Sequence, residues 1–289
     1  MKDIRSEVDN ITEIVPIPSI VGSIMTELIS EETAIEQLIR LIESDAVLTV
    51  LILRAANSAF YGLRGEVTTA RHAVILLGYK EIGKMILMYE MKRKLLNLNP
   101  QQSEYLQKLW AHSVSTAMIA RTLAKLTGWN NEGEEFTAGL LHDIGKIVLI
   151  QHFTDSLVQT QRMIADLNMS DVEAEKQNLA ISHDEIGGLL GEKWNLPPMI
   201  LDVMKYHHDI SGATEHQLLV AAVRFADILS ERWGTGIQEQ AQSFFLEEED
   251  AWKILQRSFK VLAGESAETV EQKLRALYEN ELEFSGLFA

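Results

Sequence analysis

Apolar residues recur at helical spacing along most of the chain, and alternating apolar–polar runs are scarce, a pattern that predicts helices throughout. The periodicity begins at Ile20, Ile24 and Leu28, after Ile14-Val15-Pro16-Ile17-Pro18, whose prolines bias their predecessors away from helix. A helix is predicted over Glu31–Glu43, with Ile35, Leu38, Ile39 and Ile42 on one face. Ser44-Asp45 reads as a cap for Ala46–Ala56, which is apolar nearly all round and expected to be buried. Asn57-Ser58-Ala59-Phe60-Tyr61-Gly62 breaks that helix into a compact loop. Thr68 is placed to cap a helix that runs to Leu77 and stops at Gly78, and another runs from Lys80 to Leu96. Asn97-Leu98-Asn99-Pro100 then interrupts the pattern and marks a boundary.

Past that boundary a helix is predicted over Ser103–Thr127, with Trp110, Val114, Ala117 and Met118 as its buried stripe and His112 beside it. Gly128-Trp129-Asn130-Asn131 turns the chain into a continuous helix from Glu134 to Ile150. Ser170 with Glu173, and Ser182 with Glu185, have the spacing of capping boxes; the second starts a helix to Trp194 with His183 in its first turn. Leu196-Pro197-Pro198 starts the helix that ends at Lys205-Tyr206-His207-His208-Asp209. A further helix spans Glu215–Trp233, and Gly234 and Gly236 mark a loop. Two amphipathic helices follow up to Asn280; Leu246-Glu247-Glu248-Glu249-Asp250 before them reads as a solvated helix start, where negative charge suits the helix dipole. The pattern divides an all-α chain into an N-terminal helical part over 1–98, a helical bundle over 99–235 and an acidic helical extension over 236–289.

Composition narrows the class. The 289 residues suggest two compact units at roughly 150 residues each. Hydrophobic residues at 46% and charged residues at 24% suit a globular protein with a real core. No apolar run approaches the roughly 20 residues that span a bilayer, so no membrane partner is expected. The start, Met1 to Glu7, lacks the apolar stretch of a signal peptide, and the absence of cysteine rules out disulfides and thiolate metal sites. Together these point to a cytoplasmic protein whose metal ligands, if any, are His and carboxylate. A net charge of −16 argues against nucleic-acid partners, which are held largely by Lys and Arg. A small phosphate-bearing ligand remains compatible, because a bound cation inverts the sign locally.

One stretch concentrates the chemistry: Gly139-Leu140-Leu141-His142-Asp143-Ile144-Gly145-Lys146 sets an imidazole and a carboxylate in an apolar run. Buried without partners such a doublet costs several kcal/mol, so either a hydrogen-bonded core pair or a metal ion must satisfy it. Further candidates fall one per helix or helix end: His112, His183, His207-His208 and Asp227, the last inside the apolar helix Val220–Leu229. One cation would take His112, His142, Asp143 and Asp227; a second would share Asp143 and add His183, His207 and His208. Two such ions can activate water and clamp phosphate oxygens, with Asp143 and Lys146 as the catalytic pair if the protein is an enzyme. Each residue also has a plainer reading, His112 as a core histidine, His183 as a surface residue and His207-His208 as a solvated helix end. His72, His152 and His216 fit no scheme and are expected to be structural or exposed. The donor set suits one or two divalent ions among Fe, Mn, Zn and Ni.

The order His112 … His142-Asp143 … Asp227 resembles the metal-dependent HD phosphohydrolase superfamily. Ile42-Glu43-Ser44-Asp45, Ala55-Ala56-Asn57-Ser58-Ala59-Phe60-Tyr61-Gly62 and Ala73-Val74-Ile75-Leu76-Leu77-Gly78 resemble the HDOD domain, the HD-related output domain, as do Ser182–Gly187, Trp194–Pro197 and His207-His208. The resemblance covers residues 14–232 and implies a multi-helix HD-type bundle preceded by an N-terminal helical subdomain. It implies a bacterial signalling or regulatory module that acts through other signalling proteins and carries a divalent-metal site. The alternative it implies is a metal-dependent phosphohydrolase with a phosphodiester or nucleotide substrate. The chain keeps the His, Asp and Lys positions that the related HD-GYP phosphodiesterases use. It departs from them after His207-His208, where Asp209-Ile210-Ser211-Gly212 stands in place of the Gly-Tyr-Pro segment that helps bind cyclic-di-GMP.

Overall fold

Helix starts follow the caps written into the chain. Asp45 accepts from the backbone N–H groups of Val47 and Leu48 and opens Ala46–Ala56, as expected. Thr69, one residue later than the Thr68 expected, takes the N–H of His72. Ser170 and Glu173 form the complete capping box, each side chain satisfying the other's backbone. Ser182 does not: its hydroxyl turns to the Asp184 carboxylate, and Glu185 lies 3.4 Å from Lys176 instead. The first free N–H of that helix, on His183, goes to Glu175 of the preceding helix at 2.8 Å.

A computed structural model describes residues 30–58, 61, 66–96, 100–131, 133–167, 169–235 and 245–288, and every regular element among them is helical. The elements expected at Ile14–Pro18 and Ile20–Leu28 lie outside the described residues, as do Ala59, Phe60, Gly62, Asn97–Asn99 and Gly236. The chain divides into two compact units, one built on Val15–Asn97 and the other on Leu98–Tyr278.

The smaller unit contains α1 (Glu31–Glu43), α2 (Ala46–Ala56), α3 (Ala70–Leu77) and α4 (Tyr79–Leu96). Its core joins Leu38 and Ile42 of α1, Ile52 of α2, Val74 of α3 and Ile82 and Ile86 of α4. Tyr89 on α4 donates to the second oxygen of the Asp45 cap at 2.8 Å. Asn57 closes the loop after α2 completely: its amide donates to Leu53 O and Val67 O, and its oxygen accepts from Val67 N, each at 2.8 Å.

The larger unit holds α5 (Pro100–Thr127), α6 (Glu134–Leu141), α7 (Gly145–His152), α8 (Thr154–Leu167), α9 (Asp171–Leu179), α10 (His183–Lys193), α11 (Pro198–Tyr206), α12 (Gln217–Ser230), α13 (Asp250–Ser258) and, as far as Tyr278, α14 (Ala267–Phe288). Helix α5 packs against α6 and α12, and α10 packs against α7 and α11. The helix expected over Glu134–Ile150 is two helices, broken by a turn at His142–Ile144. Residues from Leu246 to Tyr278, read from the sequence as part of a separate extension, fall in this same unit. Trp252 of α13 is fully buried and stacks on Phe225 of α12 with ring centroids 5.5 Å apart. Glu247, part of the run expected to be solvated, accepts from the Trp252 indole at 2.9 Å and from the backbone of Ala267. No described helix is long and apolar enough to cross a membrane.

Candidate metal centre

The break between α6 and α7 is a tight turn of helical dihedrals, closed by i→i+3 bonds from Ile144 N to Leu141 O and from Lys146 N to Asp143 O. Here His142 and Asp143 sit in the turn, and both are buried. Two glycines let the flanking helices approach closely enough. A Cβ at Gly139 would stand 2.8 Å from Cα of Ala117 on α5, and a Cβ at Gly145 would overlap the His183 carbonyl and stand 2.8 Å from N of Gly187 on α10.

Around this turn the structure assembles every sequence-named residue. His112 from α5, His142, and Asp227 from α12 form one set, and Asp143, His183, His207 and His208 form another; within each, the ligand-type atoms lie within 4.8 Å of one another. Asp143 divides its oxygens between them. Its Oδ2 is 3.5 Å from Nε2 of both His112 and His142, while its Oδ1 is 3.2 Å from Nε2 of His183 and 3.5 Å from Nε2 of His207. Asp227 Oδ1 closes the first set at 3.1 Å from His112 and 3.6 Å from His142. Lys146 meets Asp143 Oδ2 at 2.7 Å. His72 is exposed, and His216 pairs with Asp202 at 2.7 Å away from the centre.

An outer ring of residues, unnamed in the sequence reading, holds this set in place. Nδ1 of His142 donates to Gly139 O at 2.7 Å, that of His207 to Val203 O at 2.9 Å, and that of His183 to Glu175 at 2.7 Å. His112 Nδ1 meets Ser230 at 3.2 Å. Asp171 takes the second bond of Lys146 at 3.0 Å, and Arg224 reaches Asp227 at 2.7 Å and His208 at 3.3 Å. Outer partners of this kind typically tune metal affinity about 10–100-fold. Substituting glutamine for Glu175 removes the carboxylate from His183 and is expected to weaken metal uptake within that range, as a metal titration of the folded variant would read; unchanged uptake would remove Glu175 from the scheme.

Electrostatics fit a cation centre. Burial raises the carboxyl of Asp143, but Lys146, His142 and His183 overcome it and hold the group well below the usual range. Asp227 is likewise opposed by burial and held down by His112, His142 and Arg224. Lys146 is disfavoured as a cation by burial yet kept charged by Asp143 and Asp171. Burial lowers His208 and His207, while His183 rises through Glu175 and Asp143 despite burial. Burial, then the Asp227 and Asp171 carboxylates, push Glu231 up to about 8.

Two buried atoms test whether a metal fits. Nε2 of His142 and Oδ1 of Asp143 have no hydrogen-bond partner, although both point into the centre. Orphaned buried acceptors cost about 1–3 kcal/mol each, and a divalent cation satisfies both with donors of the right type. The residues fit the group.

Access comes from two sides. A cleft of about 500 Å³ is lined by His207, His208, Arg224, Asp209, Glu248 and Glu249 among others. A small pocket of about 30 Å³, room for a single water, touches His112, Lys146, Asp171, Glu175 and Glu231.

Known proteins place this arrangement. An uncharacterized protein of Treponema pallidum (strain Nichols) is 24% identical over 279 residues, which cover 94% of this chain and 51% of that protein. A ribonuclease Y of Sulfurovum sp. (strain NBC37-1) is 30% identical over 158 residues, 54% of this chain and 25% of the enzyme. The chain thus spans about half the length, or less, of these curated relatives. Among solved structures, an HDOD domain protein from Geobacter sulfurreducens superposes with a TM-score of 0.76 at 27% identity, covering 98% of this chain and 95% of that one. The HDOD domain profile itself matches residues 14–210, from the smaller unit through His183, His207 and His208, and stops short of Arg224 and Asp227. With that much of its length matched and its helical bundle shared, the chain belongs to the HDOD domain family.

Proposed function

We propose that this HDOD chain binds two divalent cations, bridged by Asp143, and hydrolyses a small phosphate ester. The observation that carries the reading is the division of the Asp143 oxygens between two histidine sets, with His142 Nε2 and Asp143 Oδ1 otherwise unsatisfied. His112, His142 and Asp227 would hold one ion and His183 and His207 the other, with His208 in reach. Bound as a pair, such ions supply Lewis acidity toward phosphate oxygens and a nucleophilic water at neutral pH. Lys146 keeps the bridging carboxylate ionised and oriented, and Asp171 keeps Lys146 from swinging away. Arg224, on the cleft, fixes Asp227 and offers positive charge to an anion arriving there.

The name of the Sulfurovum relative assigns that enzyme to RNA, which shares the phosphodiester chemistry. The net charge of −16 and the carboxylates of Glu248, Glu249 and Asp209 at the cleft favour a compact phosphate ester over a long polyanion.

Protein purified without chelator is expected to carry close to two metal equivalents and to turn over a generic phosphodiester or phosphomonoester under reducing conditions with Fe, Mn, Zn or Ni. Absence of metal before and after soaking would defeat the reading. Metal uptake should strengthen as pH rises through and above the ordinary histidine value of 6.5, because the raised groups His142 and His183 must lose protons to bind. The metal-free protein moves the other way, since pairs made by protonated His183 stabilise the fold at low pH and are lost as pH rises through its raised value. Calorimetry in buffers of different ionisation enthalpy reads the released protons.

A second reading, regulation through protein contacts, has its own observation. Val47 and Val50 on α2 and Ile75 on α3 are 60%, 55% and 63% exposed. If metal loads fully and a broad phosphate-ester screen stays flat, this reading takes precedence.

A further inference from the structure

Four of the central imidazoles have an outer partner whose chemistry fixes the ring's proton. His142 and His207 face backbone carbonyls, and His183 faces the Glu175 carboxylate. These partners only accept, so Nδ1 carries the proton and Nε2 keeps its lone pair for an ion. The fourth, His208, is built the other way round. Its Nδ1 lies 3.3 Å from Nη1 of Arg224, and a guanidinium has donors but no acceptor. Nδ1 of a neutral His208 therefore accepts, and its proton sits on Nε2. Its Nε2 faces inward, 2.9 Å from Nε2 of His183. His208 and Arg224 also both line the cleft of about 500 Å³.

We infer that His208 is a hydrogen-bond donor to the anionic substrate and not a metal ligand, with Arg224 as the residue that positions it. Resting on the two-metal reading, this assigns the second ion three protein ligands, Asp143, His183 and His207, and so the open position that distinguishes catalytic from structural sites. A phosphate oxygen at that position meets the Nε2–H of His208, which Arg224 holds in place from Nδ1. His208 gives a hydrogen bond only and keeps its proton, since losing it would leave an imidazolate. The ligand set expected from the sequence, with His208 on the second ion, requires Arg224 to leave Nδ1.

The test compares wild type with His208→Gln and His183→Gln, measuring bound metal and the affinity of the loaded protein for inorganic phosphate. His208→Gln should keep the wild-type number of ions, whereas His183→Gln should lose one. Phosphate affinity in a companion His208→Ala, which cannot donate, should fall about tenfold or more. Loss of one ion from His208→Gln, as from His183→Gln, would overturn the inference. Nitrogen-15 spectra of the metal-free protein at mildly alkaline pH read the proton directly: on Nε2 for His208 as expected, and on Nδ1 if the inference is wrong. Uptake of no ion by the wild type is a separate result; it defeats the two-metal reading and the role of His208 with it.

Discussion

Replacing Asp143 by alanine is expected to remove both metal ions together, because one carboxylate faces both histidine sets. Removing a ligand that serves a single ion should spare the other, so His183→Gln and His142→Gln each lose one. The loss in Asp143→Ala should exceed the roughly 100-fold upper range seen for outer-ring changes. Metal analysis after gel filtration, with circular dichroism to confirm the helical fold, reads the result. The fold should survive, since Lys146 keeps Asp171 at 3.0 Å and is not left as an unpaired buried charge. A folded Asp143→Ala that still holds two ions would refute the bridging role.

The largest expected loss of stability from adding a single methyl group is at Gly145. An added Cβ meets the His183 carbonyl and the Gly187 amide, both backbone atoms that cannot rotate away. Overpacking typically costs about 1–3 kcal/mol, and here the upper end applies because α7 must back off from α10. For a unit of this size each kcal/mol lowers Tm by about 2–4 °C, so Gly145→Ala should melt roughly 6–12 °C lower. Gly188→Ala is the control: its Cβ meets the Lys205 side chain at 2.7 Å, whose flexible stem can move, and its loss should be small. Equal losses in the two variants would show that the close approach is not what the glycine serves. The same displacement moves His183, so Gly145→Ala should also weaken metal uptake, which Gly188→Ala leaves alone.

Local chemistry was legible in the chain, and distant chemistry was not. Asp45 and the Ser170–Glu173 pair announce helix starts because a cap needs only residues within three positions. The family-like box at Asn57 follows for the same reason: its amide saturates itself against Leu53 and Val67, ten positions away at most. The metal candidates stood out because a carboxylate or imidazole in an apolar helix needs a partner, as Asp227 shows. The helix break at His142–Ile144 was hidden, since Leu140, Leu141 and Ile144 continue a helical pattern and only the contact of Gly145 with another helix decides against it. Glu175, Asp171 and Arg224 were missed because acidic and basic residues on helices have ordinary surface uses. Their function exists only once α9 and α12 are folded against the turn. The Ser182 box failed because Asp184 takes both of its partners, accepting from the Ser182 hydroxyl and from the Glu185 N–H.

Lys146 and Arg224 have a consequence for how the protein is made. Each places a permanent positive charge on the central carboxylates, Lys146 between Asp143 and Asp171 and Arg224 on Asp227. These built-in counter-ions let the acidic centre close during synthesis before any ion arrives, unlike domains that stay unfolded until metal binds. The newly made chain is then a preformed receiver, and its added stability tracks the free metal concentration by mass action alone. Metal supply would then set how much of the protein is loaded, adding to the stability of a fold that forms without it.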